Sequence, residues 1–303
     1  TDLLTIEGAE LYAVASRTLD KATTFATKHN AIKAYGSYEA LVNDTNVDAV
    51  YIATPHSFHK ENTLMCLEHG IAVLCEKPFA MNANEVKAMV TKAKENNVLL
   101  MEALWTYFLP HYRYVLDLLN NREYGDIIKL EADFGFKPEF DLSSRAFKKS
   151  LGGGSLLDIG IYPIFAALST LGEPNTIEAN ATFFENNVDS SCSMTFRYDK
   201  NINAYLKSTF LENTPTEAIL YCEKGTIKIN SRFHEPSSVT LIVNGKENII
   251  YFENVSIGYT YEILHFNQLL RDNKTESDIM TFDFSKKLIQ TLDKVREIIG
   301  LKY

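Results

Sequence analysis

Cysteine is scarce in this 303-residue chain: Cys66, Cys75, Cys192 and Cys222 lie far apart, and no two form a C-x-x-C pair. Zinc ribbons and knuckles are thereby excluded on spacing, and thiols this sparse in a chain this long are expected to be reduced, as in a cytoplasmic protein. Positive charge is in deficit, 30 Lys and Arg against 39 Asp and Glu for a net charge of −9. A phosphate-seeking surface for nucleic acid is therefore not expected, although a local basic pocket is still allowed. No uninterrupted apolar run reaches the length of a membrane span, and no basic-then-apolar leader marks the chain for export. Repeats, low-complexity tracts and a flexible linker are also missing. What remains, 46% hydrophobic and 23% charged residues, matches a soluble globular protein large enough for two domains with real cores.

Over residues 1–103, short apolar runs alternate with helical patterns. The runs "ELYAVAS" (10–16), "VDAVYIAT" (47–54), "IAVLCE" (71–76) and "VLLMEA" (98–103) read as buried strands. Between them "TLDKATTFATKH", "SFHKENTLMCLEHG" and "NANEVKAMVTKAKENN" carry apolar residues at helical spacing, each beginning at or near a Thr, Ser or Asn suited to a helix N-terminus. Such alternation predicts a Rossmann-type parallel sheet covered on both faces, with ligands bound beyond the carboxyl ends of its strands. Glu76, Lys77 and Pro78 fall at such an end. A dinucleotide-binding sheet normally opens with strand, G-x-G-x-x-G and helix. "TDLLTIEGAELYAVAS" reads instead as the tail of the first helix entering the second strand. The first strand and its glycine loop are thus expected to be missing, roughly 25 residues by the size of such a unit.

The rhythm changes after about residue 104. A helix-like stretch (107–122) leads to "DIIKLEADFGF", then to a glycine-rich turn and a helix (155–171). β-rich runs follow at 176–184, 190–198, 202–210, 216–222, 226–230, 238–243 and 247–252, punctuated by Gly225 and by Asn244-Gly245 as hairpin turns. These predict a second, α+β domain over 104–303 with a large, mainly antiparallel, open-faced sheet. Two amphipathic helices, near 258–272 and 283–299, close the chain and are expected to pack back toward the first domain.

Several residue types stand where chemistry could use them. Asp158 and Tyr162 are four apart, hence on one face of a helix. Ser155 and Asp158 read equally well as the two ends of a capping box. Ser16 and Arg17 end the second strand, where an acidic residue would suit the ribose hydroxyls of NAD. A hydroxyl and a guanidinium suit a 2′-phosphate instead, with Lys21 in support, so NADP is expected ahead of NAD. His56 and His59 are three apart, but no third ligand stands nearby, and no metal is expected. Arg113 reads equally as a lining of a substrate cleft and as a packing or surface residue, and His265 reads as structural.

Three segments resemble one family. "VLCEKPFAMNANE" is similar to the EKP signature of the Gfo/Idh/MocA oxidoreductases, "YIATPHSFHKEN" to their TP-x-x-x-H segment, and "RAFKKSLGGGSLLDIGIYPI" to their GGG-x-L-x-D-x-G-x-[HY] segment. "YEILHFNQLLRDNKTES" and "DKVREIIGLKY" resemble the C-terminal helices. "EALWTYFLP" and "LLDIGIYPI" look closest to the dimeric dihydrodiol dehydrogenase and xylose dehydrogenase branch.

The resemblance implies hydride transfer between a nicotinamide cofactor and a hydroxyl-bearing carbon of a sugar or vicinal diol. Glu76 would bind the nicotinamide-side ribose, Thr54, Pro55 and His59 would lie along the dinucleotide, and Lys77 would face the reacting hydroxyl. Asp158 would bind substrate, and Tyr162 would act as the acid–base group, where the family often has His. A free tyrosine has a pKa of about 10, so Tyr162 would need the Lys77 charge beside it. Trp105, Tyr107 and Arg145 would line the substrate cleft. The uncovered sheet face and the resemblance together imply a homodimer through that sheet. Two other readings stay open: a dinucleotide-binding sensor without turnover, and reduction of a cyclic imine or biliverdin-like substrate on the same scaffold.

Overall fold

The computed structural model describes residues 2–253 and 256–303 and divides into two compact units. The first comprises Thr1–Ala80, Asn84–Leu104 and Val255–Ser285; the second comprises Met81–Ala83, Trp105–Asn254 and Lys286–Tyr303.

Five short parallel strands form the first unit. They are β1 (Ala13–Ala15), β2 (Lys33–Tyr35), β3 (Ala49–Ile52), β4 (Ala72–Glu76) and β5 (Leu100–Ala103), with helices α1 (Leu19–His29), α2 (Tyr38–Val42), α3 (His59–Glu68) and α4 (Ala83–Asn96) in the connections. They are hydrogen-bonded in two separate pieces, β1–β2 and β3–β4–β5, with no ladder joining β1 to β3 among the described residues. β4 is the spine of the larger piece: Val73 pairs with both Val50 and Leu100, and Ala72–Cys75 are all buried. A strand buried on both faces has no polar alternation, which is why "AVLC" reads as a continuous apolar run.

In the second unit, α5 (Pro110–Asn120) precedes β6 (Ile127–Gly135). After the glycine-rich turn comes α6 (Ile161–Leu171), then β7 (Thr176–Phe183), β8 (Asp189–Arg197), β9 (Asn203–Thr209), β10 (Ala218–Cys222), β11 (Gly225–Ile229), β12 (Val239–Val243) and β13 (Lys246–Ile250). These strands build one eight-stranded sheet in the order β13-β12-β11-β10-β6-β9-β8-β7. It is mainly antiparallel, as the sequence pattern predicts, except that β6 and β9 run parallel at its centre. Asn244 (φ 51°) and Gly245 (φ 73°) make the left-handed turn that joins β12 to β13. Alternation along the central strands is strict. Cys192, Met194 and Phe196 point to the core with Ala204, Leu206 and Leu130, while Ser193, Thr195, Tyr205 and Glu131 take the other face. α6 covers the inner face, and its Phe165 is fully buried against Tyr112 of α5, ring centroids 4.9 Å apart. Burying a side chain of this size contributes about 2–3 kcal/mol.

Two helices follow the sheet. α7 (Thr260–Arg271) belongs to the first unit, where the Asp2 carboxylate accepts from the backbone N–H groups of Tyr259 (2.9 Å) and Thr260 (3.3 Å) and so caps the helix start. α8 (Phe282–Ile299) ends the chain. One stretch, Lys149–Leu171, is long and apolar enough to cross a membrane, but it is almost wholly buried inside the fold. It ends in α6, the core helix of the second unit.

Candidate active site

The carboxyl end of β4 is held from three sides. The Tyr51 hydroxyl on β3 donates to the Glu76 carboxylate, and the Lys77 backbone N–H donates to Glu76 Oε2 at 3.2 Å. The Lys77–Pro78 peptide is cis. The next residue, Phe79, donates its backbone N–H to Glu102 Oε1 (3.0 Å) at the tip of β5. The loop after β3 closes the third side, for the His59 ring nitrogens lie 2.8 Å from the Thr54 carbonyl and 2.9 Å from the Pro78 carbonyl. Asn62 Nδ2 donates to Thr54 Oγ1 at 3.1 Å. Glu76 and Lys77 are left half-buried at the strand tip, as are Thr54 and Pro55.

His59 is fully buried, and burial lowers the affinity of its ring for a second proton although both carbonyls favour the charged form. With each nitrogen against a carbonyl, His59 clamps the loop to the Lys77–Pro78 turn and has no nitrogen to offer a ligand. His56 is also buried, its ring centroid 5.8 Å from that of His59. The described residues contain no cluster of three or more metal-ligating side chains. At the end of β1, Ser16 is half-buried, and its N–H donates to the Tyr35 carbonyl (3.1 Å). Arg17 beside it is exposed and has no ion-pair partner among the described residues. An unengaged guanidinium at a strand tip fits an anionic phosphate.

In the second unit the chemistry gathers at the start of α6. The turn Gly152-Gly153-Gly154 lies against the 3₁₀ turn Arg145–Phe147 so closely that a Cβ on Gly153 would be 2.8 Å from the Arg145 and Ala146 carbonyls. Only glycine permits that approach, which brings Arg145 Nη1 to 3.1 Å from Asp158 Oδ1. Leu156–Gly160 form a π-turn that leads into α6, a feature common at functional sites. The capping-box alternative does not hold. Asp158 is engaged by Arg145, and Ser155 makes no cap bond but donates its hydroxyl to Asp189 Oδ2 at 2.9 Å.

Tyr162 is 5% exposed, and its oxygen accepts a hydrogen bond from Trp105 Nε1 at 3.1 Å. Its ring lies 5.6 Å from that of Phe134 and 5.0 Å from that of His234, and the His234 ring in turn lies 6.2 Å from that of Trp105. Tyr107 takes a different place, packed edge-on to Phe165 at 5.1 Å in the aromatic core, where burial pushes its hydroxyl up and the Arg113 charge pulls it back. His265 in α7 pairs with Ser277 Oγ at 2.8 Å.

Three residues of these surroundings escape detection from sequence pattern. His234 lies in the irregular segment between β11 and β12, where no periodicity singles it out. Asp189 is one acid at a strand start. Glu102 could have been found, as a lone carboxylate at the tip of an otherwise apolar strand. It is 2% exposed, and burial pushes its carboxyl up to about 7, the Glu76 charge adding to that rise and Lys77 opposing it.

The fold and these two clusters define an NAD(P)-binding oxidoreductase class, and comparison with known proteins agrees. The oxidoreductase family model with an NAD-binding Rossmann fold matches residues 3–104, and the GFO/IDH/MocA C-terminal domain matches residues 112–228. The chain belongs to the Gfo/Idh/MocA oxidoreductase family. It is 38% identical over 304 residues to the trans-1,2-dihydrobenzene-1,2-diol dehydrogenase of Xenopus tropicalis, covering 97% of this chain and 91% of that relative. It is 33% identical over 305 residues to scyllo-inositol 2-dehydrogenase (NADP(+)) IolU of Bacillus subtilis (strain 168), with coverages of 98% and 92%. Among solved structures, KijD10, a 3-ketoreductase from Actinomadura kijaniata in complex with NADP and TDP-benzene, superposes with a TM-score of 0.88 at 25% identity, covering 98% of this chain and 92% of that one. The aldose-aldose oxidoreductase from Caulobacter crescentus shares the fold, with a TM-score of 0.89 at 21% identity and coverages of 99% and 92%. These relatives are dehydrogenases and reductases, which supports a catalytic protein over a dinucleotide sensor.

Proposed function

We propose that the protein is an NADP-preferring dehydrogenase that oxidises a CH–OH group of a vicinal dihydrodiol or cyclic polyol. Bound cofactor supplies the hydride acceptor. The protein orients the substrate and manages its proton. Ser16 and Arg17 hold the 2′-phosphate, Thr54 and Pro55 border the dinucleotide, and Glu76 takes a ribose hydroxyl. Tyr162 removes the substrate hydroxyl proton, Lys77 stabilises the negative charge that develops, and Asp158, steadied by Arg145, accepts from a neighbouring hydroxyl. One observation carries the reading: the Tyr162 oxygen already accepts the Trp105 N–H, so its own proton is directed elsewhere and its ionised form has a donor waiting. The dihydrodiol and inositol dehydrogenases above support the substrate class. We extend the proposal to a homodimer through the open sheet face, and to a cytoplasmic location, which four buried, unpaired cysteines suit.

The test is reduction of NADP+ and of NAD+ by the full-length protein with trans-1,2-dihydrobenzene-1,2-diol and with scyllo-inositol. Turnover that favours NADP+ and falls at least 100-fold in Lys77→Ala, with NADPH affinity unchanged, is the expected result. Equal use of both cofactors would retire the Arg17 role alone. Lys77→Ala at the wild-type rate would overturn the chemistry.

A further inference from the structure

The start of α6 is fixed by a residue from the opposite layer. Asp189, the first residue of β8, is fully buried, and its Oδ2 accepts from the Leu156 backbone N–H at 2.7 Å and from the Ser155 hydroxyl at 2.9 Å. Ser155 Oγ lies 3.2 Å from Ser208 Oγ of β9, so the contact is anchored in the sheet. The other oxygen presses on the glycine turn: a Cβ on Gly154, whose φ is +124°, would lie 1.9 Å from Asp189 Oδ1. That oxygen has no hydrogen-bond partner among the described residues. A helix start normally satisfies its N–H groups with a local Ser, Thr or Asp. Here the local Ser155 hydroxyl is turned away, and a carboxylate 33 residues along the chain takes the Leu156 amide instead.

We propose that Asp189 is a positioning residue for the reaction: its ionised carboxylate sets the π-turn and helix start that aim Asp158 and Tyr162, and turnover depends on that ionisation. The inference rests on the roles given above to Asp158 and Tyr162. A desolvated carboxylate is costly unless it is well used, and three features show this one in use: two donors from the helix, a glycine that makes room and a hydroxyl relay to β9. Burial raises its proton affinity to about 6, with the Leu156 and Ser155 donors holding it down. The groups that face it are these donors, the Ser208 hydroxyl, the Cys192 thiol of β8 (pushed up to about 12 by burial) and the Tyr303 phenol of the C-terminal segment. Tyr303 is 36% exposed as a residue, but desolvation at its hydroxyl end raises it far above the ordinary tyrosine range. The thiol and the phenol are therefore neutral across the working range, and the carboxylate alone titrates there. Protonation below about pH 6 removes the anion from the helix start and lowers turnover.

The experiment compares Asp189→Ala, Asp189→Asn and Tyr162→Phe in the full-length protein by amide exchange at Leu156, NADPH affinity and the pH profile of kcat with trans-1,2-dihydrobenzene-1,2-diol. Asp189→Ala should speed Leu156 exchange at least 10-fold and lower kcat about 10- to 100-fold, with NADPH affinity within twofold of wild type. Asp189→Asn keeps an acceptor without the charge. It should leave Leu156 less protected than in wild type and hold kcat at the low level of the acid form across the pH range, with no limb near pH 6. It carries the test by itself if the alanine variant does not fold. Unchanged Leu156 exchange in Asp189→Ala, or a wild-type acid limb in Asp189→Asn, would overturn the proposal. If Tyr162→Phe turns over normally, the site reading fails instead, and the exchange data show separately whether Asp189 holds the helix.

Discussion

The Trp105 indole N–H donates to the Tyr162 oxygen at 3.1 Å, joining the turn Trp105–Phe108 to α6, just past the π-turn that holds Asp158. A donor at that oxygen stabilises phenolate more than phenol, because hydrogen bonds to an ionised acceptor are roughly twice as strong as neutral ones. Trp105→Phe keeps the ring and removes the donor. Its kcat should fall about 10-fold and the rise of its rate with pH should move to higher pH, since the phenolate loses support. Tyr162→Phe should lose at least 100-fold at every pH. A Trp105→Phe variant whose rate rises with pH as in wild type would separate the indole from the acid–base step.

Arg145 and Asp158 make a second prediction of a different kind. The arginine side chain is 54% exposed and the aspartate side chain only 9%, so solvent screens the pair, which is expected to contribute no more than about 1 kcal/mol to stability. Its value lies in orientation, since Arg145 fixes the carboxylate to which the proposal assigns a substrate hydroxyl. Arg145→Ala should leave the melting temperature within a few degrees of wild type while raising KM for the diol about 10-fold. A melting temperature that drops sharply with KM unchanged would make Arg145 a structural residue.

Much of this was legible because local pattern and tertiary role coincide. The four expected parallel strands appear with shorter bounds, and the Lys77 turn lies at a strand tip as the βα alternation requires. Two elements escaped. β2 has three residues and α2 has five, too few for either periodicity to register. The parallel pairing of β6 with β9 is also invisible in a run of apparent hairpins, because strand order is set by distant contacts. The same reason hides Asp189 and His234, whose partners are remote in sequence. The capping-box alternative failed because a buried carboxylate from another strand outcompeted the local residue for the Leu156 amide.

The outer face of the eight-stranded sheet supports the dimer proposal. It displays Glu131, Glu178, Tyr205 and Lys207 around a shallow concavity, and Tyr205 is 46% exposed at its centre strand. A wide sheet face needs a cover, and the proposed second copy would supply one. Light scattering at micromolar concentration should give twice the chain mass of 34.3 kDa, and Tyr205→Asp should shift the population to monomer. A wild-type monomer at that concentration would remove the interface.

Glu102 supplies a prediction whose sign depends on its burial. Desolvation raises its carboxyl from 4.5 to about 7, while the Phe79 N–H and the Lys77 charge oppose the rise. Because the folded value lies above the unfolded one, the contribution of Glu102 to stability is fully present below about pH 4.5 and is lost as pH climbs through 7. The loss is on the order of 3 kcal/mol, since each tenfold change in proton affinity is worth about 1.4 kcal/mol. Glu102→Gln keeps an acceptor for the Phe79 N–H and cannot ionise. Urea unfolding should therefore give similar midpoints for the two proteins at about pH 5 and a more stable variant at about pH 9. Parallel stability curves across that range would show that Glu102 does not titrate within it. The variant also removes a carboxylate that faces Lys77, so its turnover should lose any inflection near pH 7 that belongs to Glu102 while keeping the one that belongs to Tyr162. The same buried acid would then be seen twice, once in unfolding and once in catalysis.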